Sequence, residues 1–116
     1  MQHGFTNSFY DRQIDRAFQD ARLLSLADHP RLVLFSDCHR GIGTGNDSFL
    51  NNKPLCEAAL NYYDAQKFTC IELGDGDELW ENRRIADIAE IHGDIFAKLA
   101  DFAGDGRLFL LWGNHD

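Results

Sequence analysis

No run in this 116-residue sequence is apolar for the roughly 20 residues that crossing a bilayer requires. The first residues, Met1-Gln-His-Gly-Phe-Thr-Asn-Ser, lack the basic start and apolar stretch of a secretory signal. Internal repeats, low-complexity tracts and linkers are missing as well. Cysteine is sparse and scattered: Cys38, Cys56 and Cys70 form no C-x-x-C pair and read as reduced thiols rather than a disulfide framework. Positive charge is short, with 11 Lys and Arg against 19 Asp and Glu, a net charge of −8. That balance argues against broad binding to nucleic acid, which would be repelled. It says less about a site where acidic side chains hold divalent cations. These absences leave a soluble, cytoplasmic protein with no membrane partner as the expectation.

What is present fits one compact domain. The chain is 44% hydrophobic and 26% charged, an ordinary globular balance, and its length suits one domain rather than two. Three short apolar runs read as strands covered on both faces: Arg31–Ser36, Phe68–Leu73 and Arg107–Trp112. Between them lie helical patterns. Tyr10, Ile14, Phe18 and Ala21 share a stripe from about Tyr10 to Leu24. Asn52 and Pro54 mark the start of a second helix, continued by Leu55, Ala59 and Tyr62. A third, long helix is predicted from about Asn82 to Phe102, with Ile85, Ile88, Ile95, Leu99 and Phe102 on one face and Gly104 and Gly106 ending it. The order α-β-α-β-α-β predicts an α/β fold with a parallel sheet and right-handed crossovers. In such sheets ligands gather beyond the carboxyl ends of the strands.

The residues at those three ends carry chemistry. After the first strand come Asp37, Cys38 and His39. In an extended segment Asp37 and His39 would face one point and Cys38 the other way, a carboxylate and an imidazole suited to one metal ion. Polar residues at a strand end would look the same in isolation. After the second strand come Gly74-Asp75-Gly76-Asp77-Glu78, either an exposed acidic turn or carboxylates gathered round a cation. After the third come Gly113-Asn114-His115-Asp116, with a neutral oxygen ligand and an imidazole able to bind metal or move protons. The three groups lie roughly forty residues apart, the spacing of βαβ units, and neighbouring parallel strands are only about 5 Å apart, so the three loops converge.

The ordered series Asp37-Cys38-His39, Gly74-Asp75 and Gly113-Asn114-His115-Asp116 resembles the motifs of the calcineurin-like metallophosphoesterases. The resemblance spans Asp37 to Asp116. It implies the first half of an αββα sandwich, and it implies two divalent ions (Mn, Fe or Zn) about 3.5–4 Å apart that activate water for attack on a phosphate ester. By the same resemblance Asp37 and His39 hold the first metal, Asp75 bridges both, and Asn114 holds the second. His115 serves as proton donor to the leaving oxygen or as a stabiliser of phosphoryl charge. Glu78 stands where the family commonly has an Asp that orients this His. The family completes its site with further His ligands downstream, commonly a G-H-x-H motif, and none follows Asp116. The expectation is therefore the N-terminal part of a single larger metallophosphoesterase domain, weakly active or inactive alone and exposing sheet edge and apolar surface.

The resulting expectation is a metal-dependent phosphoester hydrolase, a phosphatase or phosphodiesterase acting on a phosphorylated substrate. Two alternatives stand beside it: a non-catalytic scaffold of the same fold for protein binding, and a phosphodiesterase or nuclease of the same family. The loop Gly41-Ile-Gly-Thr-Gly45 lacks the spacing of a dinucleotide fingerprint and the Lys of a P-loop, so it reads as a loop bordering the metal site. Arg40, Arg83 and Arg84 could contact a substrate phosphate, Arg40 foremost, while the latter two also fit solvated helix-end charges. Trp80 and Trp112 read as packing residues. His92 falls on the apolar stripe of the last helix as a packed or boundary residue, His29 sits in a turn before Pro30, and His3 lies in the terminus.

Overall fold

A computed structural model describes residues 8–45, 47–79 and 84–116. His3, Trp80, Arg83 and the predicted helix start at Asn82 lie outside the described residues. The elements run α1 (Phe9–Asp20), β1 (Leu32–Phe35), a 3-10 turn (Leu50–Asn52), α2 (Lys53–Ala65), β2 (Thr69–Glu72), α3 (Ile85–Ile91), α4 (Gly93–Gly104) and β3 (Leu108–Leu110). The strands form one parallel sheet in the order β1-β2-β3, with Val33 opposite Cys70 and Cys70 opposite Leu108. The protein is thus mixed α/β with a three-stranded parallel sheet and four α-helices among the described residues. No helix among them is long and apolar enough to cross a membrane.

Alternation along the strands sorts the core. Val33, Phe35, Cys70 and Leu108 pack with Leu60 of α2 and Ile95, Leu99 and Phe102 of α4. Leu60, Ile95 and Phe102 are at most 2% exposed, and burying each such side chain contributes about 1.5–3 kcal/mol. The opposite face is covered less fully. Leu34, Leu73 and Leu111 are exposed there, while His29 lays its edge on Phe109 and bonds Thr69 Oγ1 at 2.8 Å. Coverage on both faces therefore holds within β2 (Thr69–Glu72) but not at Leu73 beyond it, nor for β1 and β3. The stripe of α1 is exposed too: a Ser8–Asp11 capping box starts this helix, yet it buries none of its residues.

Both helices that return the chain to the sheet end in Schellman turns. At α4, Arg107 N–H donates to Phe102 O at 2.8 Å and Gly106 N–H to Ala103 O at 3.0 Å, with Gly106 at φ +69°. At α2 the same pattern uses Phe68 to Tyr63 and Lys67 to Asp64, both 2.9 Å, and the left-handed position holds Lys67 at φ +59°. The Phe68 ring packs 4.9 Å from that of Tyr63 and completes the motif.

The single long helix expected from Asn82 to Phe102 is instead two. His92, at φ −110° and ψ 29°, breaks the turn between α3 and α4, and Gly93 has little helix propensity to restore it. The imidazole explains the break. It is fully buried, and its Nε2 meets Asp47 Oδ2 at 2.6 Å. Asp47 in turn accepts the amides of Gly43 (3.0 Å) and Phe49 (3.1 Å), which ties the glycine loop after β1 to the α3–α4 junction. The packed-boundary reading of His92 fits this position.

Two stability effects follow. Lys67→Gly relieves a left-handed backbone and is expected to raise unfolding free energy by about 1 kcal/mol in urea titrations. Burial disfavours the Asp47 carboxylate, but the His92 contact and loop amides outweigh it and hold its pKa below the ordinary carboxylate value. A depressed carboxylate stabilises the fold above its unfolded pKa and loses that contribution as pH falls through the folded value. Asp47→Asn is therefore expected to cost about 1–3 kcal/mol at pH 7 and to flatten the stability loss otherwise seen below about pH 4.

Candidate metal centre

The three strand-end loops continue the sheet's pairing beyond its strands. Asp37 N–H donates to Gly74 O (3.2 Å), His39 N–H to Asp75 O (2.9 Å) and Arg40 N–H to Gly76 O (2.9 Å), while Glu78 N–H returns to Arg40 O (2.8 Å). The second and third loops interlock more tightly. The Asp116 carboxylate accepts the amides of Asp75 and Gly113, both at 2.7 Å, and of Asp77 at 3.1 Å. Asp75 Oδ1 accepts the His115 amide at 2.7 Å. A Cβ on Gly113 would lie 2.5 Å from the Asp75 amide nitrogen, and one on Gly74 (φ +103°) 2.8 Å from the Gly113 nitrogen. Both positions need glycine because two backbones touch there.

This knit brings Asp37, His39 and Asp75 together, with ligand atoms all within 4.8 Å of one another. His39 Nε2 lies 3.6 Å from Asp37 Oδ1, and Ser36 Oγ donates to the other Asp37 oxygen. The segment is not extended, as the sequence reading assumed. Asp37 and His39 sit at φ +55° and +51°, and Asp75 at +52°. Two successive left-handed kinks flanking Cys38 achieve the convergence instead. Cys38 does turn inward, toward Cys56 and Cys70 around a hollow of about 10 Å³. Burial pushes Cys38 up to about 11 and Cys70 to about 12, so neither thiol is poised as a nucleophile.

His115 stands beside this group. Its ring centroid is 4.8 Å from that of His39, edge to face, and its Nδ1 lies 2.8 Å from Glu78 Oε1. Glu78 is 7% exposed; burial raises its pKa, yet the contacts to His115 and His39 prevail and hold it below the ordinary value. Asn114 lies on the same loop, exposed, between Gly113 and His115. Asp116 belonged to the sequence motif without a role, and its three amide contacts were not deducible from spacing. Burial opposes its charge and those amides overcome it, so its pKa is lowered as well.

Arg40, read from the sequence as a contact for substrate phosphate, is 3% exposed and committed elsewhere. It pairs with Glu72 at 2.7 Å and Asp77 at 2.9 Å and lies over the Phe96 ring. Glu72 Oε1 is held by charge rather than by a well-directed hydrogen bond. Gly76 makes room for this pair, since a Cβ there would meet Glu72 Oε1 at 2.5 Å and Arg40 Nη2 at 2.6 Å. Arg84 is exposed and 3.9 Å from Asp87. Trp112 is 86% exposed and not packed as expected; it lines an apolar hollow of about 650 Å³ with Ile85, Phe96 and Leu110.

A donor set of two carboxylates and an imidazole, open to solvent at Asp37, fits a divalent cation of the Mn, Fe or Zn class. No family model, curated protein or solved structure matches the chain. Gly113→Ala should force the two loops apart, lowering stability by about 1–3 kcal/mol in urea unfolding and weakening Mn²⁺ binding, read by isothermal titration calorimetry. Unchanged Mn²⁺ affinity would show that the interlock does not shape the site.

Proposed function

We propose that the chain carries the metal-binding half of a metal-dependent phosphoester hydrolase of the calcineurin-like metallophosphoesterase type. The observation that carries this reading is the convergence of Asp37, His39 and Asp75 from two strand ends, with His115 delivered beside them from a third. Asp37 and His39 would hold one ion, Asp75 would bridge to a second, and Asn114 would complete the second from its exposed position. Bound there, two divalent ions would supply Lewis-acid polarisation of a phosphoryl oxygen and a water of lowered pKa. The chain's own contributions are positional. With Nδ1–H donated to Glu78, the doubly protonated His115 ring would give its Nε2 proton to the leaving oxygen. The bared sheet face at Leu34, Leu73 and Leu111 suits the second layer of an αββα sandwich.

A non-catalytic scaffold for protein binding is the second reading, and the presence of both the candidate ligands and His115 weighs against it. Cytoplasmic location and a phosphorylated substrate belong to the same proposal. Mn²⁺ binding is measured on the chain. Hydrolysis of p-nitrophenyl phosphate and bis-p-nitrophenyl phosphate is measured on the chain and on any longer natural form. Asp75→Asn is expected to abolish binding and turnover, and His115→Ala to retain Mn²⁺ while turnover falls by a factor of about 10²–10⁴. Metal bound at the wild-type site with no turnover on any phosphoester would overturn the hydrolase and favour the scaffold.

A further inference from the structure

Glu78 faces two imidazoles at once. Its Oε1 lies 2.8 Å from His115 Nδ1, and its Oε2 lies 2.9 Å from both His39 Nδ1 and His115 Nδ1. We infer that Glu78 is a shared positioning residue, one carboxylate that sets the tautomer and ring plane of both the metal-binding His39 and the proton-donating His115. The inference rests on the metallophosphoesterase reading for the roles of the two histidines, and on the geometry alone for their common partner.

Three observations support a built arrangement rather than a chance meeting. Glu78 is nearly buried, and its own amide is fixed to Arg40 O at 2.8 Å, so its side chain starts from a set point. The two rings meet edge to face at 87°, an arrangement in which one carboxylate can lie in the plane of each imidazole. The far nitrogen of His39 is already turned toward the ligand group, 3.6 Å from Asp37 Oδ1. With Nδ1–H donated to Glu78, Nε2 keeps its lone pair for a metal ion, the way a carboxylate behind a ligating histidine acts in metal sites generally. An Asp is one methylene shorter and could not reach both rings from the same backbone position. The extra length of Glu, a mismatch if its duty were His115 alone, is what spans the two.

The test reads the histidines before any metal is added. Long-range ¹H–¹⁵N NMR of the chain without added metal at neutral pH is expected to show a proton on Nδ1 of both His39 and His115, with His39 Nε2 unprotonated. Glu78→Asp, which is too short, should preserve that signature on only one of the two rings, and Glu78→Gln, whose single acceptor oxygen is uncharged, should weaken it on both. Mn²⁺ titration should show affinity falling 10–100-fold in Glu78→Gln with the number of bound ions unchanged. A drop in that number would make Glu78 a ligand and overturn the positioning role. Tautomer and affinity of His39 unaffected by either substitution would confine Glu78 to His115 and also overturn it. If the variants unfold, an Nε2–H signature for His39 in the wild type decides against the inference by itself. Failure of the parent reading is separate, because it shows as Mn²⁺ binding that Asp75→Asn does not remove.

Discussion

The Asp116 carboxylate holds the loops after β2 and β3 in one piece. It takes amides from Gly113 on its own loop and from Asp75 and Asp77 on the neighbouring one, so two chain segments 40 residues apart share a single acceptor. Charge-assisted bonds of this kind are roughly twice as strong as neutral ones. The glycines at 74 and 113 allow the backbones to touch, and that closeness lets Asp75 accept the His115 amide. Loosen this contact and the Asp75 carboxylate and the His115 imidazole lose their common frame.

Beneath that frame lie charges that are expensive to bury. Arg40, Glu72 and Asp77 meet on the helix-covered side of the sheet, and Asp47 meets His92 where α3 and α4 join. Replacing such pairs with apolar side chains is often neutral for stability, so their presence points to geometry rather than to added stability. Here each pair anchors a loop that borders the site. Arg40 follows His39 directly and is drawn inward by Glu72 across the end of β2. Asp47 gathers the amides of the glycine loop. The site is supported from below by ionic contacts, and the surface above it is left open.

The sequence made the strand positions, the helix order, the parallel sheet and the meeting of Asp37, His39, Asp75 and His115 legible, because each depends on local apolar pattern and on βα spacing. What it hid depends on contacts between distant segments. The broken helix at His92 follows from an aspartate 45 residues upstream. The inward turn of Arg40 follows from Glu72, a charged residue inside an otherwise apolar strand. The left-handed backbone at Asp37, His39 and Asp75 has no propensity signal beyond the tolerance of Asp and His for that region. Lys67 at a position that usually takes glycine was equally silent.

The acidic residues at the site divide by how their charge is met among the described residues. Asp77 and Glu72 have Arg40, Glu78 has two imidazoles, and Asp116 has three amides. Asp37 and Asp75 are held differently. Their carboxylates each accept a neutral donor, the Ser36 hydroxyl and the His115 amide. They also sit, with His39, on backbone that costs on the order of 1–3 kcal/mol per residue to hold. Left-handed backbone thus aims two carboxylates and an imidazole at one point, while the acidic groups around them have charged or multiple dedicated donors. Under the proposed function, a divalent cation would answer both the charge and the geometry of this group.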